Sequence, residues 1–276
     1  MKKIYIHTIL TVLLFSNCEQ VVNIDVPTIE PKLIIDASFE VLFNESPIKA
    51  NVVVKLKLST DYFDDTIPTV SDAIVFLTNT ADNAVINFSD VNLNGNFTPI
   101  INFIPKNAIE YELTVIYKSE IYKGNATKVK STQIDSAIQG DETLFSGKEI
   151  EVKVAFKDNA DNENYYLFNF TNNLFLPLED RFFNGTNYNF SFFYQEEEIE
   201  VPTNVTVTMS GITKDYFTYF RILQNQSGTS GGGPFQSVPS SLLGNIINTT
   251  NEANFPLGYF HISETDTINL DLVEKN

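Results

Sequence analysis

The chain has no tryptophan, one cysteine and two histidines among 276 residues, and its 18 lysines and arginines are outnumbered by 35 aspartates and glutamates. A lone cysteine, Cys18, has no partner for an intrachain disulfide, so the fold must rest on a hydrophobic core, and the chain is long enough to build one. One cysteine and two histidines, His7 and His261, also fall short of the nitrogen and sulfur ligands of an ordinary zinc site. The net charge of −17 argues against nucleic acid, which requires a clustered basic footprint. Here Lys118, Lys123, Lys128 and Lys130 are spread among apolar and polar residues. The absence of tryptophan, a favoured stacking residue for sugars, disfavours a glycan ligand.

The longest apolar run, Ile4 to Phe15, is about 12 residues, well below the roughly 20 that a helix needs to cross a bilayer. It follows Lys2 and Lys3 and leads directly to Phe15-Ser16-Asn17-Cys18. A basic start, a short apolar stretch and a small residue two before a cysteine read as a lipoprotein signal peptide over 1–17, with Asn17 where Gly, Ala or Ser is usual. An ordinary cleaved signal peptide is the alternative. The expected lipidation site is Cys18, where several acyl chains, each methylene contributing about 0.8 kcal/mol, give lasting attachment to membrane lipid. Residues 18–31, with Pro27 and Pro31, read as a lipidated tether.

The remainder has a strand composition. Its 23 phenylalanines and 12 tyrosines stand among many Ile, Val, Thr and Asn, which suit a half-buried pleated surface and read first as core. Strands are predicted at 33–37, 51–58, 73–77, 84–88, 111–117 and 121–126, with turns at Leu93-Asn94-Gly95-Asn96 and Lys118-Ser119-Glu120. Further strands fall at 149–156, whose apolar face is Ile150, Val152, Val154 and Phe156, and at 165–170, 188–194, 201–209 and 269–273. One helix is predicted over 213–225, with Tyr216, Tyr219, Phe220 and Leu223 at helical spacing. The fold class expected is mainly β: an N-terminal immunoglobulin-like β-sandwich over 32–133, then a second β-rich domain over 134–276 with one helix.

An ordered series of short segments resembles a known family, the Bacteroidota lipoproteins catalogued as domain of unknown function 4249. The segments are Leu33-Ile34-Ile35-Asp36, Leu58 to Phe63 leading to Ser71 to Val75, Tyr111 with Leu113 and Tyr122, and Ile134-Asp135-Ser136. They continue with Asn164-Tyr165-Tyr166, Gly233-Pro234-Phe235, Gly244-Asn245-Ile246 and Leu257-Gly258-Tyr259-Phe260. The resemblance implies a β-sandwich followed by a second β-rich domain, genes often beside TonB-dependent transporters of the SusC type, and no catalytic residue. Related surface lipoproteins carry an acidic stretch after the cysteine, whereas here only Glu19 precedes Gln20-Val21-Val22.

Nucleophilic catalysis with a histidine base has only His261 to draw on once the leader is removed, and that residue reads as a strand histidine. Two oxygen-rich segments, Asp158 to Asn164 and Glu196 to Glu200, are candidate calcium ligands, but the first lacks the glycine and final glutamate of the twelve-residue loop. The plainer reading is a solvated hairpin turn and a charged edge strand. Gly231-Gly232-Gly233 has no following Lys-Ser/Thr pair, which rejects a phosphate loop; Phe235 beside it is a candidate partner or ligand contact, or a core plug. Asp135-Ser136-Ala137, Asp65-Thr66-Ile67 and Asp266-Thr267-Ile268 resemble short acceptors for O-glycosylation. No catalytic, cofactor-binding or metal residue is assigned. The expected function is that of a non-enzymatic outer-membrane lipoprotein, an accessory or lid of a TonB-dependent β-barrel transporter, with the cell surface preferred to the periplasmic face. The alternative is a stand-alone surface lipoprotein that binds peptide or glycan.

Overall fold

A computed structural model describes residues 30–60, 66–227 and 242–274. Cys18, the leader, nearly all of the tether, Asp65, the glycine run 231–233 and Phe235 lie outside the described residues.

Alternation along the first strands dictates their layering. β1 (Leu33–Leu42) buries Leu33, Ile35, Ala37, Phe39 and Val41 on one face and turns Asp36, Ser38 and Glu40 to the other. Its antiparallel partner β2 (Lys49–Leu58) buries Val52, Val54 and Leu56 and leaves Lys55 and Lys57 on the opposite face. β3 (Ile74–Asn79) and β4 (Val85–Ser89) form the expected hairpin, and β5 (Asn96–Pro99) follows a turn in which Leu93 and Gly95 take positive φ. β6 (Glu110–Tyr117) and β7 (Glu120–Thr127) are joined through Lys118 and Ser119, both at positive φ, the geometry that matches a two-residue hairpin turn to strand twist. The layer β1-β2-β5 faces the layer β4-β3-β6-β7 across a core of Phe39, Leu56, Phe88, Phe97, Leu113 and Tyr122.

The second core is aromatic. β8 (Ile134–Gln139), β9 (Ile150–Lys157) and β12 (Asn187–Tyr194) make a three-stranded sheet. It packs on β10 (Tyr165–Phe170), β11 (Phe175–Glu179) and β13 (Thr203–Ile212), with a 3-10 turn at Asp180–Phe182. The rings of Phe170 and Phe192 stack at 3.9 Å and 4°, and Phe156 meets Tyr166 edge-on at 5.2 Å, arrangements that add to simple area burial. The helix α1 (Lys214–Ser227) begins where Thr213 caps it, its hydroxyl accepting the Tyr216 N–H at 3.1 Å. The buried stripe is Tyr216, Phe217 and Phe220 rather than one that includes Leu223, which is 39 % exposed. The stripe is rotated because Phe217 packs on Tyr165, with ring centres 5.1 Å apart.

Two elements from the end of the chain complete the first sandwich. β14 (Ile246–Asn248) pairs with β7, and β15 (Leu257–Leu272), a 16-residue strand of which only residues 269–273 were predicted, runs through both cores. It pairs with β1 in parallel along Leu257–Thr265 and with β13 antiparallel along Thr265–Leu272. Its even-numbered face reads Phe260, Ile262, Glu264, Asp266, Ile268, Leu270, Leu272. The first two fill one core and the last three pack in or against the other. Glu264 and Asp266, between them, receive the connecting chain 128–134: Lys128 Nζ lies 3.1 Å from Glu264, and the Ile134 N–H donates to Asp266 Oδ2 at 2.7 Å. The described residues from Pro31 onward thus form one compact unit.

Candidate functional site

Beside this junction is a cleft of about 390 Å3, lined by Asn125, Lys128, Thr213, Asp215, Asn245, Tyr259 and His261 among others. The end of β7, the corner between β13 and α1, and the start of β15 position these side chains. Its size is that of a small-molecule site. Several of its polar groups are already occupied. The Asn245 amide donates to the Phe260 carbonyl at 2.7 Å and the Asn125 carbonyl at 3.2 Å, while its oxygen accepts the Phe260 N–H at 2.8 Å. Lys128 is committed to Glu264, and Thr213 to the helix cap.

His261 lies on the outer face of β15 beneath α1, its ring 4.1 Å from that of Tyr216 and tilted by 22°. Sequence reasoning found it no partner, but the parallel register of β1 and β15 sets Ser38 opposite it, with Nε2 2.9 Å from the Ser38 hydroxyl. Two features separate this pair from a nucleophile and its base. The Ser38 hydroxyl also lies 3.2 Å from Asp36, and Nδ1 of the imidazole meets Ser263 at 3.2 Å, so both ring nitrogens and the hydroxyl are engaged within the protein. Burial under Tyr216 also pushes the imidazole down to about 4, so it is neutral at pH 7. Tyr216, Tyr219 and Tyr259 close an aromatic cluster over this face, with Tyr259 4.8 Å and 4.9 Å from the other two.

The first candidate calcium segment is a turn exposed over 159–163 but tied down at Asp158 and Asn164, and the second is not an edge strand. Asp158 is buried; its carboxylate accepts from the Tyr166 hydroxyl at 2.6 Å and the Gly185 N–H at 2.7 Å. With its amide nitrogen turned inward, Asn164 donates to the carbonyls of Asn159 and Asn162 at 2.7 and 3.0 Å, closing the loop on itself. Asp180, also buried, accepts the Asn164 N–H at 2.7 Å with one oxygen and has no partner for the other; burial raises its pKa. Glu196 to Glu200 lie in the turn after β12 rather than in a strand, because Glu198 accepts the Gln195 N–H and bends the chain there. Glu197 to Glu200 line an open groove of about 610 Å3. Among the described residues, no group of three or more His, Cys, Asp or Glu converges as a metal site.

Of the O-glycosylation motifs, Asp266 is consumed at the junction while Thr267 is exposed, and Ser136 sits half-buried at a bulge in β8. Sequence reasoning passed over the β8–β9 loop, where Phe145 is fully exposed. Its signal was an isolated Leu144-Phe145 pair among Gly, Ser and charged residues, apolar side chains with no periodic neighbours to share a core.

The fold and these sites define a mainly β protein of two joined sandwiches with one helix among the described residues, in which buried polar side chains such as Asp158, Asp266 and Asn245 hold segments together. The chain belongs to the family described as Domain of unknown function (DUF4249), which it matches over residues 19–269. No curated protein matches it. Among solved structures, the chicken interferon gamma receptor alpha chain is similar at 13 % identity over 66 % of this chain and 88 % of that one, with a TM-score of 0.19. Several segments that carried the family resemblance are latches: Asn245 ties β15 to the end of β7, Asn164 ties its loop to Asp180, and Ile134 reaches Asp266.

Proposed function

We propose that this protein is a non-enzymatic lipoprotein, anchored in the outer membrane through Cys18, that works as an accessory partner of a TonB-dependent β-barrel transporter. The observation that carries the reading is the commitment of Asn245, Lys128, Thr213 and His261 beside the cleft to latches within the protein. Such a junction stiffens a scaffold and offers no base to a substrate. The family resemblance supplies the transporter and the lipid anchor supplies the location, with the cell surface favoured. A second reading, a stand-alone surface lipoprotein that captures a peptide or glycan, draws on the size of the cleft and its tyrosine rim.

The test is a mild-detergent purification of the tagged, lipidated protein from its own outer membrane, with a Cys18→Ala control. Co-elution of a TonB-dependent barrel in stoichiometric amount, weakened in the control, is the expected outcome. Recovery of the protein alone would sink the accessory reading and put ligand capture first.

A further inference from the structure

The β8–β9 loop carries an aromatic side chain held outward by a buried acid. Glu149, 2 % exposed at the start of β9, grips the main chain on both sides of Phe145: one carboxylate oxygen accepts the Leu144 N–H at 3.1 Å and the other the Ser146 N–H at 3.0 Å. The Ser146 hydroxyl then accepts the Lys148 N–H at 3.1 Å. Glu151, also buried, holds the other limb by accepting the Glu142 N–H at 2.9 Å, and the Ser191 hydroxyl braces it at 2.6 Å. These bonds set the tip in one shape with the ring in solvent. A buried carboxylate costs free energy unless fully hydrogen-bonded, and two of them stand beneath one loop. Leu144, Ile138 and Val273 add exposed apolar surface at the same end of the second sandwich, where the Gln139 side chain is bonded to the Val273 main chain.

We infer that Phe145 is a pre-formed anchor that docks into an apolar socket with a basic rim on a partner protein. Charge selects that occupant. Asp141 and Glu142 are exposed in the same loop, and Lys148, the cation of that loop, is paired to the exposed Glu196 at 2.8 Å. Acidic residues flanking an apolar knob oppose a second copy of this chain, whose net charge is −17, and oppose insertion into an anionic membrane surface. They complement lysines and arginines around a pocket. Because the ring and its loop are ordered before contact, docking avoids much of the usual ordering cost, the situation in which a single buried aromatic dominates an interface.

The inference rests on the accessory reading, with the barrel as the partner. Full-length lipidated protein, wild type and variants, is purified in mild detergent from its own outer membrane, and the co-eluting TonB-dependent barrel is quantified per mole of bait. Phe145→Ala is expected to lower barrel recovery tenfold or more, because a fully exposed side chain contributes nothing to folding. Phe182→Ala, equally superficial but at the other end of β9, leaves recovery unchanged. Glu149→Gln, which keeps the ring and weakens its support, is expected to give a smaller loss, and added salt weakens wild-type recovery. Wild-type barrel recovery that Phe145→Ala leaves intact overturns the anchor while the accessory reading stands. No barrel with the wild type overturns both.

Discussion

The main-chain N–H of Ile134 donates a 2.7 Å hydrogen bond to Oδ2 of Asp266, although 132 residues separate them. The other oxygen of the same carboxylate accepts from the Asn44 amide at 2.6 Å, and Asn44 in turn accepts from the Gln133 amide at 2.6 Å. One side chain on β15 therefore joins the first sandwich, the connecting chain and the first strand of the second sandwich. The connection between the two cores is a pinned segment.

Asp266→Ala leaves the buried Ile134 N–H and the Asn44 amide without their acceptor. We expect a loss of about 1–3 kcal/mol, mainly the cost of orphaning the buried Ile134 N–H that had a charged partner. Urea unfolding is the measurement, and the single transition of the wild type should broaden or split as the cores uncouple.

Gly211→Ala tests the same junction from the other side. A Cβ at Gly211 would lie 2.0 Å from the Lys130 carbonyl oxygen, a main-chain atom that cannot swing away. The expected destabilisation is about 2 kcal/mol, seen as a lower melting temperature, with faster amide exchange over 128–134. Gly258, at φ +103 and 2.1 Å from the Ile35 carbonyl by the same measure, should tolerate alanine no better.

His261 makes stability depend on pH. Its folded value of about 4 lies below the ordinary 6.5, so between these limits the unfolded chain binds a proton that the folded chain does not. Stability is therefore complete above about pH 6.5 and falls as the pH drops towards 4. His261→Gln should flatten the melting temperature across that window while leaving it little changed in slope above pH 7.

Asp180 acts in the opposite sense. Its raised pKa means that ionisation is resisted in the folded state, so its contribution worsens as the pH rises through the carboxylate range. Asp180→Asn keeps an acceptor for the Asn164 N–H and removes a buried charge near Asp158. The expected outcome is a higher melting temperature at pH 7 and little difference near pH 3. An unchanged or lower melting temperature at pH 7 would show that the charge is satisfied in the folded protein.

Most strands of the first sandwich were legible because one face is buried and one wet, which writes period two into Leu33–Leu42 and Lys49–Leu58. The helix was legible for the same kind of reason, but its buried face was displaced by one position because Tyr165, distant in sequence, decides that Phe217 is covered. β14 was missed because three residues carry no period, and β11 because Pro177 interrupts a short, half-buried run. The Ser38–His261 pair and the Glu149 support of Phe145 were invisible for different reasons. The first depends on a parallel register across 223 positions, and the second on hydrogen bonds to main-chain N–H groups, which any sequence offers.

By composition and periodicity alone, this chain is committed to a mainly β fold with aromatic cores, one amphipathic helix, an acidic surface and no histidine-rich or cysteine-rich centre. These are local or summed properties, set residue by residue. The sharing of β15 between two cores, with Glu264 and Asp266 as the pins, was decided only when strands far apart in the chain came into register. An apolar, charged, apolar stretch such as Phe260 to Leu272 acquires its meaning from which neighbours pair on each edge, and that choice is made by the whole fold.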